Sequence, residues 1–183
     1  MRIEIISGST RKESITARLA IFLRNYFNEN TSHSIGIIDV REWEMPPYNQ
    51  GYYTLEETPE KFHQLWKRYN DADAIILVSP EYNGSYSPGL QNLMDHFPRP
   101  KRKVIGVATA TTGGLGGMRA AQQLILLVTA MFAFPSPQLL ITSHVDKKID
   151  PNGVLVDTAF MKHVQLFFEE FLWFAERITH KNE

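Results

Sequence analysis

Gly8-Ser9-Thr10-Arg11-Lys12-Glu13-Ser14 decides the fold of this chain, because it joins a β-type run to an amphipathic helical pattern. The run before it is mostly apolar and reads Ile3-Glu4-Ile5-Ile6-Ser7. A glycine- and serine-containing turn between a strand and a helix presents free backbone N–H groups to an anion. Arg11, Ser9 and Ser14 add a positive charge and two hydroxyl donors, which favours a phosphate. The alternative is an ordinary N-capped helix, with Ser9 or Ser14 as the cap and Arg11 in solvent.

The composition is typical of a soluble globular protein. The chain has 183 residues, of which 43% are hydrophobic, so it can bury a sizeable core. Its 19 basic and 20 acidic residues leave a formal net charge of -1, and we therefore expect neither nucleic acid nor a membrane as partner. Cysteine is absent, which excludes disulfides, thiolate nucleophiles and cysteine-ligated metals. Any redox chemistry must therefore use a bound cofactor.

Neither a signal peptide nor a membrane span is visible in the sequence. The chain begins directly with a strand pattern, and the longest apolar run, residues 124–134, is too short to cross a bilayer. We therefore expect a cytoplasmic protein.

Short β-type runs alternate with helical patterns along the whole chain. Several strands are apolar on both faces, as in a parallel sheet that is covered on both sides. Five strand–helix pairs without a break in composition predict one doubly wound α/β domain over residues 1–183. The predicted strands are 2–7, 34–40, 74–79, 104–109 and 138–142, and the predicted helices are 14–29, 58–70, 87–97, 117–132 and 158–179.

Three unusual loops follow the first, third and fourth predicted strands. Ligands of doubly wound sheets bind beyond the carboxyl ends of the strands, so we expect these loops to meet there. The third-strand loop reads Ser79-Pro80-Glu81-Tyr82-Asn83-Gly84-Ser85. A rigid loop that exposes amides beside an aromatic ring suits a flat heteroaromatic ligand. The alternative is a tight connection in which Tyr82 is ordinary hydrophobic cover.

The fourth-strand loop reads Thr109-Ala110-Thr111-Thr112-Gly113-Gly114-Leu115-Gly116-Gly117. Four glycines in this stretch indicate positive φ angles or a close approach to the backbone. A bound ligand or a partner chain would create that need, and a flexible, empty lid is the alternative.

Taken in order, these motifs resemble the NADPH-dependent FMN reductase family over roughly residues 1 to 135. They are Gly8-Ser9-x-Arg11-x-x-Ser14, the run 79–85 with Leu90 and Asn92 beyond it, and the glycine segment 113–117. The family includes bacterial flavin, quinone, azo-dye and chromate reductases. The resemblance implies a flavodoxin-like, five-stranded parallel sheet of order 2-1-3-4-5 with helices on both faces. It also implies non-covalent FMN and a homodimer or homotetramer.

The resemblance further implies a function and a set of FMN-binding residues. Hydride passes from NADPH or NADH through FMN to a small-molecule acceptor, which is a quinone, an azo compound or free flavin. The phosphate site corresponds to Ser9, Arg11 and Ser14, with Ile15 beside them. The loop under the isoalloxazine ring corresponds to Pro80, Glu81, Tyr82, Asn83 and Gly84, and the opposite wall to Thr111, Thr112 and Gly113.

The sequence departs from the family pattern at two places. Thr16 stands where many relatives carry Asn, and Met94-Asp95-His96-Phe97 lacks the Trp that often follows the Asp. The second departure lies where the outer pocket, and hence the acceptor, is determined.

We predict no catalytic side chain and no metal. Hydride transfer through a flavin needs no general acid or base, so we favour a structural or oligomer-contact role for Glu81. The six histidines show no metal-ligand spacing, and His96, which follows the ring loop, is the one of interest.

Two other functions remain open on the sequence alone, a flavodoxin-like electron carrier and a non-catalytic flavin-binding module. Flavodoxins hold the phosphate mainly with hydroxyls and amides, so Arg11 counts against the carrier. The near-neutral charge also lacks the acidic field with which such carriers dock.

Two further segments carry surplus aromatic residues. Residues 43–53 lack periodicity, and they either flank the ring-binding mouth of their own or of a neighbouring subunit, or cross the surface irregularly. The final helix has an apolar stripe from Phe160 to Ile178, with Phe168 and Trp173 off the stripe. These two either cover a subunit interface or pack loosely on the core.

Overall fold

Residues 1–179 are described by a computed structural model, in which strands and helices alternate as the sequence predicts. His180 lies outside the described residues. The predicted strands and long helices are all found, with some ends shifted by a few residues. The strands are β1 Arg2–Ser7, β2 Ser34–Asp39, β3 Ala74–Ser79, β4 Val104–Ala110, β5 Phe134–Pro135 and β6 Leu140–Thr142. The helices are α1 Thr16–Asn30, α2 His63–Asp71, α3 Pro88–His96, α4 Met118–Ala130, α5 Val145–Lys148 and α6 Met161–Thr179, with 3₁₀ turns at Glu60–Phe62 and Thr158–Phe160.

The strands form one parallel sheet of order β2-β1-β3-β4-β5, and β6 also pairs with β4. The flavodoxin-like order is therefore confirmed, but the fifth position is shared by two short strands. β5 lies beside Val104 and Ile105, whereas β6 lies beside residues 108–110. Pro135 and Pro137 interrupt the edge because neither has an N–H for the ladder. The sequence pattern predicts only the second of these strands and does not predict α5.

Two hydrophobic clusters cover the sheet, one on each face. Ile3 and Ile5 of β1 face the side of α1 and α6, whereas Ile6 faces the side of α2, α3 and α4. The alternation of side chains along a strand produces this division. Burying one such aliphatic side chain contributes roughly 1.5–3 kcal/mol, so both faces stabilise the sheet. The protein is therefore doubly wound, and the loops that join strands to helices lie at the two ends of the strands.

The aromatic residues of α6 divide between the core and the surface. Phe167 and Phe171 are fully buried in the stripe that the sequence predicts. Phe168, off that stripe, packs edge-on against Phe27 with ring centroids 4.8 Å apart. Trp173 is 53% exposed. Within residues 1–179, no helix is long and apolar enough to cross a membrane.

A buried carboxylate of β1 forms an ion pair with a helix. Glu4 of β1 is buried and accepts two hydrogen bonds from Arg68 of α2, Nε to Oε1 at 3.0 Å and Nη2 to Oε2 at 2.6 Å. Arg68 also donates to the carbonyl of Ile37 at 2.7 Å. Gly36 is paired with Glu4 in register, and a Cβ there would lie 2.4 Å from Glu4 Oε2. Gly36 therefore makes room for this ion pair.

The segment 43–53 packs along α3 rather than standing free. Asn92 donates to the Pro46 carbonyl at 2.9 Å, and the Tyr52 amide donates to the His96 carbonyl at 2.6 Å. His96 is buried at the end of α3 between the rings of Tyr48 and Tyr52, with centroids 5.3 and 5.1 Å away. The segment thus runs along α3, and His96 lies at the far end of that helix from the loop that precedes it.

Candidate active site

The three unusual loops meet at the carboxyl ends of β1, β3 and β4, as the sequence predicts. These strands are neighbours in the sheet, and hydrogen bonds join the segments that follow them. The Gly8 amide donates to the Val78 carbonyl at 2.9 Å. The Thr16 hydroxyl donates to the Ala110 carbonyl at 3.2 Å. Thr16 therefore ties the start of α1 to the end of β4, a role that sequence reasoning did not assign to it.

The first loop approaches the start of α3 closely. A Cβ on Gly8 would lie 2.9 Å from Leu90 Cβ, so only glycine fits without a shift. Ser87, directly before α3, accepts from the Leu90 amide and donates to the Gly8 carbonyl. The Ser87 hydroxyl thus both caps α3 and holds the first loop against the start of that helix.

Some polar groups of the first loop make hydrogen bonds within the protein, and others have no protein partner. Ser9 is buried and its Oγ accepts from the Arg11 amide at 3.4 Å, while Ser14 Oγ accepts from the Ala17 amide at 3.2 Å. Ser14 therefore caps α1, which is the capping role that the sequence offers as the alternative to a phosphate site. Ile15, between Ser14 and the first residue of α1, is partly buried against the core.

Among the described residues, the amides of Thr10, Lys12 and Glu13 donate no hydrogen bond within the protein.

Arg11 links the first loop to the third. Its guanidinium carbon lies 4.9 Å from the centroid of the Tyr82 ring, which is a cation–π contact. Arg11 is thus not simply in solvent, and its donors remain available beside the free amides of its own loop. The Tyr82 hydroxyl is buried without a hydrogen-bond partner among the described residues.

The third-strand loop is a tight two-residue turn. The amide and carbonyl groups of Tyr82 and Ser85 bond each other at 2.8 and 3.0 Å. Asn83 and Gly84 have φ angles of 52° and 82°, the pattern that an Asn-Gly type I′ turn requires. In the described part of the chain, the amides of Glu81, Asn83 and Gly84 have no protein partner. The buried Pro80 before them keeps the loop close to the sheet.

The glycine-rich loop contains two kinds of glycine. Gly116 and Gly117 have positive φ angles of 63° and 90°, and a Cβ on either would lie under 3.0 Å from its neighbours. The chain's own packing therefore explains these two, without a ligand or a partner. Gly113 and Gly114 have no contact closer than 3.8 Å, so they leave open space at the mouth.

Thr111 and Thr112 are held from behind by the segment after β6. The Thr111 amide donates to the Thr142 carbonyl at 3.1 Å, and its carbonyl accepts from the Val145 amide at 3.1 Å. His144 Nδ1 lies 2.9 Å from the Thr112 carbonyl. Thr111–Gly113 and the turn Glu81–Gly84 thus follow the neighbouring strands β4 and β3, and these two segments are the walls of the candidate cleft.

Glu81 and Arg119 join the two walls. Arg119 donates from its amide to Oε2 at 3.2 Å and from Nε to Oε1 at 2.7 Å. The Glu81 side chain is 10% exposed and that of Arg119 is 64% exposed. Gly117 has no side chain to cap α4, so the Glu81 carboxylate acts as the cap from across the cleft. Sequence reasoning gave Glu81 a structural or oligomer-contact role but did not identify Arg119 as its partner.

We expect Glu81→Ala to lower the free energy of unfolding by about 1 kcal/mol, because the pair is partly exposed and also caps α4. Urea unfolding of the variant measures this loss. Glu13→Ala, which removes an exposed carboxylate from the first loop, is the matched control and should change the unfolding free energy little. Equal stability of the two variants would show that the Glu81–Arg119 pair does not hold the walls together.

Comparison with known proteins decides the family of this chain. The family model described as NADPH-dependent FMN reductase matches residues 1–146. The chain belongs to this family. It is an FMN-dependent oxidoreductase that draws electrons from a reduced nicotinamide.

Individual relatives cover nearly the whole chain. It is 27% identical over 186 residues to a 2-hydroxy-1,4-benzoquinone reductase from a Burkholderia species, covering 97% of this chain and 98% of the relative. It is 28% identical over 187 residues to an FMN-dependent NADPH-azoreductase from Staphylococcus saprophyticus, with 97% of each chain covered. Its fold is similar to that of FerB, a flavoenzyme NAD(P)H:(acceptor) oxidoreductase from Paracoccus denitrificans. That comparison has a TM-score of 0.78, 23% identity, and coverage of 96% of this chain and 97% of the other.

Proposed function

We propose that the enzyme passes electrons from NADPH through FMN to a small conjugated acceptor, with a quinone as the leading class and an azo compound as the second. The observation that carries this proposal is the meeting of three loops around one open cleft, with an arginine at one end and free amides along its walls. The named quinone and azo reductases that resemble the chain over 97% of its length support these acceptor classes.

The first loop fits the phosphate of FMN. Arg11 supplies a guanidinium beside the unpartnered amides of Thr10, Lys12 and Glu13, and the amino-terminal end of α1 adds a favourable dipole. Ser9 holds the Arg11 amide in place. Ser14 and Ile15 fix the start of α1 behind the anion.

The two walls fit the flavin ring. Free amides at Glu81, Asn83 and Gly84 match the polar edge of an isoalloxazine, and the Asn-Gly turn holds them in fixed directions. Thr111, Thr112 and Gly113 close the other side without a large side chain. FMN supplies the redox chemistry when bound, since it accepts a hydride from the nicotinamide and delivers it to the acceptor. The protein positions the ring and stabilises its negative charge.

The surface of α4 supports a homo-oligomer. Leu115 of the glycine-rich loop and Met118 and Leu126 of α4 are exposed. Exposed apolar side chains that form one patch mark a contact with another chain. We propose a homodimer or homotetramer that covers this face, and a cytoplasmic location, where the nicotinamide donor is regenerated.

The purified protein tests this proposal directly. We expect bound flavin absorbance, rapid bleaching on anaerobic addition of NADPH, and recovery of the absorbance when 1,4-benzoquinone is added. Bleaching by dithionite but not by NADPH would indicate an electron carrier instead. Failure to bind added FMN would contradict both functions.

A further inference from the structure

His144 contacts the glycine-rich loop that follows β4. Its Nδ1 is 2.9 Å from the Thr112 carbonyl oxygen. Because a carbonyl only accepts, Nδ1 carries the proton of that hydrogen bond. The other ring nitrogen, Nε2, is directed toward the glycine-rich loop, since a Cβ on Gly114 would lie 3.9 Å from it. His144 is exposed, and Nε2 has no hydrogen-bond partner among the described residues.

The backbone of His144 is held in an unusual conformation. Its φ angle is 49°, in the left-handed region that glycine adopts freely and that histidine and asparagine tolerate better than most residues. The hydrogen bonds of the next residues keep it there, because the Val145 amide bonds the Thr111 carbonyl. The imidazole is therefore held in a fixed position beside Thr112 and Gly114 of the glycine-rich loop.

The other titratable groups of the cleft are not available to donate a proton. Both oxygens of Glu81 accept from Arg119, and the Tyr82 hydroxyl is buried. The guanidinium groups of Arg11 and Arg119 do not lose their protons in proteins. Histidine is the side chain that ordinarily exchanges a proton near neutral pH. His144 is such a side chain next to Thr112.

We infer that His144 is the proton donor to the acceptor during its reduction, an inference that rests on the proposed quinone reductase function. One quinone oxygen takes the hydride that the reduced cofactor releases. The electron pair of the ring system then moves to the second quinone oxygen. That oxygen takes the proton from Nε2 of protonated His144, so quinone, hydride and proton together give hydroquinone. Neutral His144 regains its proton from water, and the Nδ1 bond to Thr112 stays unchanged throughout.

Two substitutions separate proton donation from structure. His144→Asn keeps the left-handed backbone and places an amide where Nδ1 lies, but it removes Nε2. His144→Gly keeps the backbone and leaves a space that free imidazole can enter. The matched control is His163→Asn, which changes an exposed histidine at the start of α6.

The activity test compares two acceptors of the FMN-loaded enzyme. Benzoquinone needs protons for its two-electron reduction, whereas ferricyanide accepts electrons alone. We expect both His144 variants to lose at least tenfold in the ratio of benzoquinone to ferricyanide rates, and imidazole to restore the ratio in His144→Gly. The His163→Asn ratio should match that of the unmodified enzyme. An unchanged ratio, or a lowered ratio that imidazole does not restore, would overturn the inference.

A chemical footprint gives a readout that does not depend on turnover. Diethyl pyrocarbonate modifies exposed imidazole nitrogens, and mass spectrometry locates the modified residue. We expect FMN together with hydroquinone to slow modification of His144 at least fivefold while His163 is modified at the same rate. Equal rates at His144 with and without these ligands would place the acceptor elsewhere. Bleaching of bound flavin by NADPH, measured first, shows separately whether the proposed function holds.

Discussion

Replacement of Arg11 by alanine is expected to weaken FMN binding about 10- to 150-fold, which corresponds to about 1.5–3 kcal/mol for hydrogen bonds to a charged group. The guanidinium is the charged partner for the phosphate in the proposed site, and it lies 4.9 Å from the Tyr82 ring. Its removal therefore weakens both the anion site and the contact between the first and third loops. Titration of the apoprotein against FMN, followed by quenching of flavin fluorescence, measures the change.

Lys12→Ala is the control for Arg11→Ala, because it removes a neighbouring exposed cation from the same loop. We expect a smaller loss of affinity, since the site is attributed to the Arg11 side chain and the backbone amides. Arg11→Lys keeps the charge but not the planar fork, so its affinity should fall between those of the other two variants. If Arg11→Ala bound FMN as tightly as the unmodified protein, Arg11 would not belong to the phosphate site.

Most of the fold could be predicted from the sequence because its signals are local. Apolar runs covered on both faces predict the parallel strands, and glycine-containing turns mark their ends. The two-part fifth strand was missed, since β5 has only two residues and includes Pro135. Such a strand exists only because β4 offers it hydrogen bonds, which is a property of the tertiary structure.

The loops of the candidate site could be predicted for the same reason, but the contacts that hold them could not. Glu81 and Arg119 are 38 residues apart, and His144 and Thr112 are 32 apart. No periodicity relates such pairs, and they become neighbours only when the carboxyl ends of the strands are brought together. His144 carried one weak signal, its position just after a strand at the same edge of the sheet as the three loops.

Arg68→Leu is expected to lower the free energy of unfolding by about 3–5 kcal/mol, because it leaves the buried Glu4 carboxylate without its partner. Glu4 is 5% exposed in its side chain and Arg68 is 29% exposed, so water cannot easily replace the guanidinium. The variant also removes the hydrogen bond to the Ile37 carbonyl. Since domains of this kind are stable by about 5–15 kcal/mol, urea unfolding should show a large shift of the midpoint.

The control is Arg2→Leu, which breaks the pair with Asp71. Both of those side chains are about half exposed, at 51% and 50%, and such pairs contribute about 0–1 kcal/mol. A small effect there and a large one at Arg68 would show that burial, rather than the presence of an ion pair, sets the cost.

The double variant Glu4→Leu with Arg68→Leu separates the isolated charge from lost packing. Gly36 leaves space beside position 4, so a leucine can fill the volume of the carboxylate within the apolar face of the sheet. We expect the double variant to regain most of the stability that Arg68→Leu loses, because no unpaired charge remains. A double variant as unstable as the single one would instead assign the loss to the packing of the arginine stem.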